Sequence, residues 1–351
     1  MRSALAGAAG GARRLWALAA ARYAIILVIA LAAYAAVLLV AGKDPIKAYV
    51  DIVNITLGTS NGLSEVIVRM IPLLLTAIAV ALPSRLGLIN VGGEGQLYMG
   101  AWLATWGAIT FTSLPAGVFI PLLVVLGFVG GGSWAAIAGL LRAKGWVNET
   151  ISTLLMNYIA PLIVGYFVYG AWRAADSSSY PQSAAFPAAA RLTRFGDTRI
   201  HLGLLLALVA LAAYWFVVYR TEWGLKMRAI GGNPEAARRL GIRVGLTMVV
   251  VLFVAGGVAG LAGMAEVSAL YGRLRAGFSP GYGFVGFMIS WLAGGSPLGM
   301  LAMSFLLAVV FSGGSVLQLT QGVPFAAVNV LMAIILFVVL VQPHFWKRRK
   351  A

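Results

Sequence analysis

Glu94 stands in the stretch Ser84 to Leu97, SRLGLINVGGEGQL, beside Gly92, Gly93 and Gly95 and close to Asn90 and Gln96. An acid at the centre of a lipid-exposed helix costs roughly 2.5 to 3.5 kcal/mol. Glu94 must therefore face protein, water or a ligand. Two uses fit: a polar lining of a solute route, or an interhelical hydrogen-bond cluster that holds a broken helix. Glu149, Thr153 and Asn157 recur every four residues and so share one helix face. Glu149 suits the positive start of a helix, and the deeper Asn157 is the better pathway candidate. A second interrupted stretch, Ala276 to Gly299, AGFSPGYGFVGFMISWLAGGSPLG, presents Tyr282, Phe284 and Trp291. Their rings suit stacking on a planar solute, or equally an aromatic belt at a membrane interface. Glu266 fits a packing or salt-bridge role as well as a solute contact.

Bond-making chemistry is not expected. Cysteine is absent and the two histidines, His201 and His344, lie far apart in the sequence, which argues against disulfides, metal sites and redox cofactors. Gly42 and Lys43 come closest to a phosphate-binding loop, but Asp44 follows where a hydroxyl is needed. The pattern G-x-S-x-G occurs at Gly58 to Gly62 and at Gly277 to Gly281. Neither sits on the strand-turn-helix elbow that makes such a serine a nucleophile. No catalytic residue and no cofactor is assigned. If ATP drives this protein, another chain hydrolyses it.

The elements that position these residues are membrane helices. Of the 351 residues 61% are hydrophobic and 10% charged, more apolar surface than a soluble fold can hide. The net charge of +16 gathers at the ends of apolar runs, as topology signals do, so nucleic acid is not an expected partner. Runs of about 20 residues suggest an all-α polytopic protein with about ten crossings, from Ala24–Ala41 to Val323–Val341. Lys43 to Ser64 and Arg173 to Arg199 read as outer segments. The arginine-rich N-terminal arm, Arg142, Lys144 and Lys347 to Lys350 then fall inside, with both termini cytoplasmic. The two interrupted stretches, one in each half, are the pattern that marks a transporter's binding site.

Between them lies Arg220 to Gly245, RTEWGLKMRAIGGNPEAARRLGIRVG, the most heavily charged loop between two apolar runs. Asn233 is expected to cap a helix that starts at Pro234 and Glu235: Asn accepts from orphan amides, and Pro has no amide to satisfy there. Gly231, Gly232 and Gly241 allow tight entry and exit. The product is a short docking helix carrying Arg238 and Arg239.

Together these residues resemble a permease subunit of the ABC importers for simple sugars, nucleosides and branched-chain amino acids. RAIGGNPEAARRLGI is similar to that family's coupling segment. LGLINVGGEGQL resembles its nucleoside-type members, with VNETISTLLMNYIA and GYGFVGF as further matches. The resemblance implies a fold of the cobalamin-importer type and a single transmembrane permease domain over residues 1–351, with 220–245 as its cytoplasmic coupling segment. It implies a bacterial inner (plasma) membrane location and four kinds of partner: cytoplasmic ATPase subunits, a second permease, an extracytoplasmic substrate-binding protein and a small polar solute. It places ATPase coupling on Arg228, Gly231, Asn233, Pro234, Glu235, Ala236, Arg238 and Arg239. It places the substrate pathway on Asn90, Glu94, Gln96 and Asn157, to which the residues themselves add Tyr282 and Phe284. Import of nucleosides by alternating access is the expected function. The alternatives are a pentose, another simple sugar or a branched-chain amino acid as cargo, or an ion-coupled secondary transporter that uses Glu94 and Glu266.

Overall fold

The computed structural model describes residues 28–29, 31–175, 180–324, 327, 329–331, 333 and 334. Its elements are helices: α1 (Leu31–Val40), α2 (Pro45–Thr56), α3 (Ser60–Ser84), α4 (Gly93–Thr110), α5 (Ala116–Ala143), α6 (Glu149–Tyr169), α7 (Gly203–Arg220), α8 (Glu222–Gly232), α9 (Pro234–Arg239), α10 (Val244–Ala265), α11 (Tyr282–Leu292) and α12 (Pro297–Gln321). The chain divides into two compact units, Ser60–Ala308 and the residues up to Thr59 together with those from Val309 onward.

Among the described residues six helices are long and apolar enough to cross a membrane, not about ten. They begin at Ser60, Ala116, Glu149, Gly203, Val244 and Pro297. The difference has physical causes. The crossing expected over Ala276 to Gly299 holds only α11, whose 11 residues span about 16 Å against a hydrocarbon core of about 30 Å. Gly277 and Gly281 before it, and Gly294 and Gly295 after it, have positive φ and stop the helix at both ends. The other broken stretch leaves the helical conformation after Ser84 and resumes it only at Gly93. Most of the last expected crossing, Val323 to Val341, lies outside the described residues, as do the N-terminal arm and Lys347 to Lys350. Of the first, Leu31–Val40 is helical.

Lys43 to Ser64, expected as a loop, is largely helical. Asp44 accepts from the amides of Ile46 and Lys47 at 2.9 and 3.2 Å, and Pro45 takes the first helical position. This is the same cap chemistry recognised at Asn233 and overlooked here.

The unit Ser60–Ala308 is built around α3, 89% of whose apolar window is buried, whereas α7, at 22%, lies outermost. Helices α4, α5 and α10 pack against one another at glycines. A Cβ on Gly131 would lie 2.7 Å from Gly260 Cα, and one on Gly130 would lie 2.5 Å from Met99 O. Backbones this close gain dispersion contacts that side chains would forbid. The segment 180–202 folds onto the turn that follows α10. Ser183 exchanges bonds of 2.9 Å with Leu274, and Phe186 N donates to Gly272 O at 2.8 Å. Its Phe186 and Leu192 are buried, so this polar-looking stretch has a core face.

Candidate functional site

The sequence from Arg85 to Gly92 is too polar and glycine-rich to stay helical in lipid, and its free backbone groups need partners. The stripe on α6 supplies them in order. Ile89 N donates to Glu149 Oε1 at 3.3 Å, Val91 N to Thr153 Oγ1 at 3.2 Å, and Gly95 N to Asn157 Oδ1 at 2.8 Å. Asn157 Nδ2 donates back to Val91 O at 2.8 Å. The four-residue spacing that put three polar groups on one face of α6 thus works as a zipper for the non-helical backbone at Ile89 and Val91 and for the first turn of α4. Glu149 is also ion-paired with Arg142 at 3.0 Å.

Asn90 and Gln96 close the segment on itself: Asn90 Nδ2 donates to Gln96 Oε1 at 3.1 Å, and Gln96 Nε2 to Asn90 Oδ1 at 2.9 Å. Asn90 Nδ2 also reaches Ala79 O on α3 at 3.1 Å.

Glu94 joins the two interrupted stretches. Its Oε2 accepts from Gly283 N at 2.7 Å, at the start of α11. The backbones meet here: a Cβ on Gly93 would lie 3.3 Å from Gly283 O, and one on Gly283 would overlap the backbone of Glu94. On the other side of α11, Thr76 Oγ1 of α3 donates to Tyr282 O at 3.1 Å. Ser279, from the second chance serine pattern, accepts from Gly281 N and Tyr282 N at 3.3 Å each and so shapes the turn into α11. Asn90, Glu94, Gln96, Asn157 and Tyr282 are all buried and come together, whereas Phe284 is 41% exposed and stands outside the cluster.

The short helix α9 forms as its residues imply. Asn233 Oδ1 accepts from Glu235 N and Ala236 N at 3.0 Å each, Glu235 pairs with Arg238 at 2.7 Å, and Gly241 ends the turn with φ +84°. Gly231 and Gly232 do not form a turn: both belong to the end of α8. Gly231 is needed for a close approach instead, since a Cβ there would lie 2.6 Å from Arg85 O. Met227 and Ile230 are buried on the same side, and Arg228 Nη1 donates to Val218 O of α7 at 2.8 Å.

Arg85 is the residue that sequence reasoning missed. Its guanidinium donates to Tyr214 Oη at 2.9 Å, to Tyr219 Oη at 3.0 Å and to Gly295 O at 2.8 Å. Tyr214 Oη donates to the same carbonyl at 2.7 Å. One side chain thereby ties the entry of the first broken segment to α7 and to the exit of the second, while its backbone abuts α8. Read alone, Arg85 was one more basic residue at the end of an apolar run. The signal available was its place at the first residue of the break.

Comparison with known proteins shows the family. Residues 62–340 match the family model described as branched-chain amino acid transport system / permease component. The chain is 37% identical to a glucose ABC transporter permease protein of Haloferax volcanii, over 92% of this chain and 88% of that one. It is 31% identical to a guanosine ABC transporter permease protein of Bacillus subtilis, over 90% and 91%. It is 29% identical to a nucleoside ABC transporter permease protein of Lactococcus lactis, over 88% and 87%. With most of its length matched, this chain belongs to the branched-chain amino acid transport system permease family.

Proposed function

We propose that this chain is the membrane-spanning permease subunit of an ATP-driven importer for nucleosides, working with a second permease chain, two cytoplasmic ATPases and an extracytoplasmic binding protein. The chain is a multi-pass membrane protein of an ABC transporter, and ATP is hydrolysed on a separate chain. The nucleoside assignment is supported by the guanosine and nucleoside permeases among its relatives, whose names stand beside a glucose permease.

The observation that carries the mechanism is the contact of Gly231 with Arg85. Residues 220–245, which hold α8 and α9, form the coupling segment that faces the cytoplasm and seats on an ATPase through Arg228 to Arg239, with both chain termini on the same side. Leu225 and Leu240 are exposed on it at 62% and 80%, and Glu235 holds Arg238 and Arg239 in place. Closure of the ATPases pushes α8 against the backbone of Arg85, and the Arg85 guanidinium passes the displacement to Gly295. Both broken segments then move together because Glu94 links them. Asn90, Gln96 and Asn157 shape the pathway by holding the first segment, and Tyr282 faces the solute. A shift of packed elements between two arrangements is the usual form of such a transition.

The test is co-purification with uptake. An ATPase chain should co-purify with the wild type, and uptake should survive an ionophore while ATP is maintained. Gly231→Trp should abolish uptake. Normal uptake by that variant, with no ATPase ever recovered, would put ion-coupled transport in place of this reading.

A further inference from the structure

Arg69 and Arg85 are 16 residues apart, about 24 Å along the direction of α3, so the two ends of this helix serve different neighbourhoods. At the end away from Arg85 lies a cavity of about 400 Å³ lined by Glu65, Arg69, Arg199, Tyr271, Phe278 and Tyr282, among others. Its volume is in the range of small-molecule sites. One wall is an ion-pair group: Glu65 Oε1 meets Arg69 Nε at 3.0 Å, and Glu65 Oε2 meets Arg199 Nη1 at 2.7 Å. The facing wall is aromatic, and it includes the turn into α11 that Glu94 holds.

A second observation marks the place. After α10 the chain changes to a π-helical turn, Glu266–Tyr271, which brings Leu270 and Tyr271 to the cavity wall. Such turns recur at functional sites. The carboxylate of Glu266 at its start is 2% exposed, and among the described residues its Oε2 accepts no hydrogen bond. It lies within electrostatic reach of Glu65, Arg69, Arg199 and Tyr282. Glu266 lies behind this wall and does not line the cavity, whose charged lining groups are Glu65, Arg69 and Arg199.

We propose that this cavity is a solute-binding site of the permease itself, selective for a neutral polyhydroxylated ring, the sugar moiety of a nucleoside or a free aldose. Carboxylate oxygens accept from hydroxyls, guanidinium groups donate to them, and the rings of Tyr271, Phe278 and Tyr282 stack on the less polar face of a sugar or on a base. A free carboxylate or phosphate is disfavoured, because the Glu65 carboxylate held between Arg69 and Arg199 repels a second anion placed beside it. The same repulsion acts on the carboxylate of an amino acid. The inference rests on the permease reading, which places the cavity on the extracytoplasmic side.

The experiment uses the whole complex with its ATPases and second permease in nanodiscs, without binding protein. Radiolabelled guanosine, D-ribose, D-glucose and L-leucine are the probes for binding, and guanosine uptake in proteoliposomes to which the binding protein has been added gives KM and kcat. Guanosine or an aldose should bind and leucine should not. Arg199→Ala and Glu65→Gln should each weaken binding and raise KM roughly tenfold with kcat little changed, and Arg199→Lys should recover part of the loss. Binding of guanosine alone would show that the base is read, and binding of ribose or glucose that the ring suffices; both support the site. Unchanged KM and binding in both variants, or leucine as the preferred ligand, would overturn it. ATP-dependent uptake by the wild type would leave the permease reading standing in that event. Absence of ATP-dependent uptake of any probe would instead count against the permease reading.

Discussion

Replacing Arg85 by Met tests the coupling route where it is narrowest. Methionine keeps much of the length and apolar stem of arginine but removes every donor. Tyr214 Oη still donates to Gly295 O at 2.7 Å, so that carbonyl is not orphaned. What is lost is the charged donor to Tyr214 at 2.9 Å and to Gly295 at 2.8 Å, in a half-buried setting, and an exposed contact to Tyr219. At about 1.5 kcal/mol for each of the two part-buried bonds, the loss is about 3 kcal/mol, or on the order of 100-fold in an equilibrium between two arrangements. That matches the upper range of coupling energies, about 1 to 3 kcal/mol. In proteoliposomes containing the whole complex, Arg85→Met should still hydrolyse ATP, while solute moved per ATP falls at least tenfold. Arg85→Lys should lie between, since an ammonium keeps the charge but lacks the planar guanidinium that meets Tyr214 through two nitrogens. A correctly assembled Arg85→Met complex that moves as much solute per ATP as the wild type would refute the latch.

Three further outcomes are expected. Gly283→Ala forces a methyl into the backbone of Glu94 and should lower the melting temperature of the purified protein, by an amount equivalent to roughly 1 to 3 kcal/mol, whereas Gly117→Ala, in open space, should not. Asn233→Ala removes the cap of α9 and should cost about 1 kcal/mol locally, seen as weaker ATPase co-purification without loss of the folded permease. His201, just before α7, accepts from Gly203 N at Nδ1, and burial together with Arg194 pulls it down from 6.5 to about 4. The unfolded chain therefore binds the extra proton first, and stability should fall as pH drops from about 6.5 towards 4, by up to about 3 kcal/mol. Thermal melts across that range should show the decline, and His201→Asn should flatten it.

Much of this protein was legible in local pattern, because the membrane makes local pattern decisive. Lipid offers backbone groups no partners, so apolar runs near 20 residues had to be helices, and the polar glycine-rich stretch at Ser84 to Leu97 had to be a break held by protein. The Asn-Pro-Glu start of α9 was readable for a similar reason, since a helix cap is satisfied within four residues. The same chemistry at Asp44-Pro45 was passed over because mixed charge suggested a loop. Crossing number was misjudged where length was counted without regard to glycines: α11 is stopped after 11 residues by turns at both ends.

The tertiary structure alone decided which polar residue meets which. The spacing of Glu149, Thr153 and Asn157 placed them on one face, yet nothing local says that this face meets the amides of Ile89, Val91 and Gly95. Glu94 and Gly283 are 189 residues apart, and Arg85 and Gly295 are 210 apart. Helix formation is set by neighbours within a few residues, whereas these joints depend on where glycines let distant backbones approach. For that reason the sequence by itself identified a membrane permease with two broken helices and a short capped helix between them, and only packing showed that one arginine and one glutamate tie the three together.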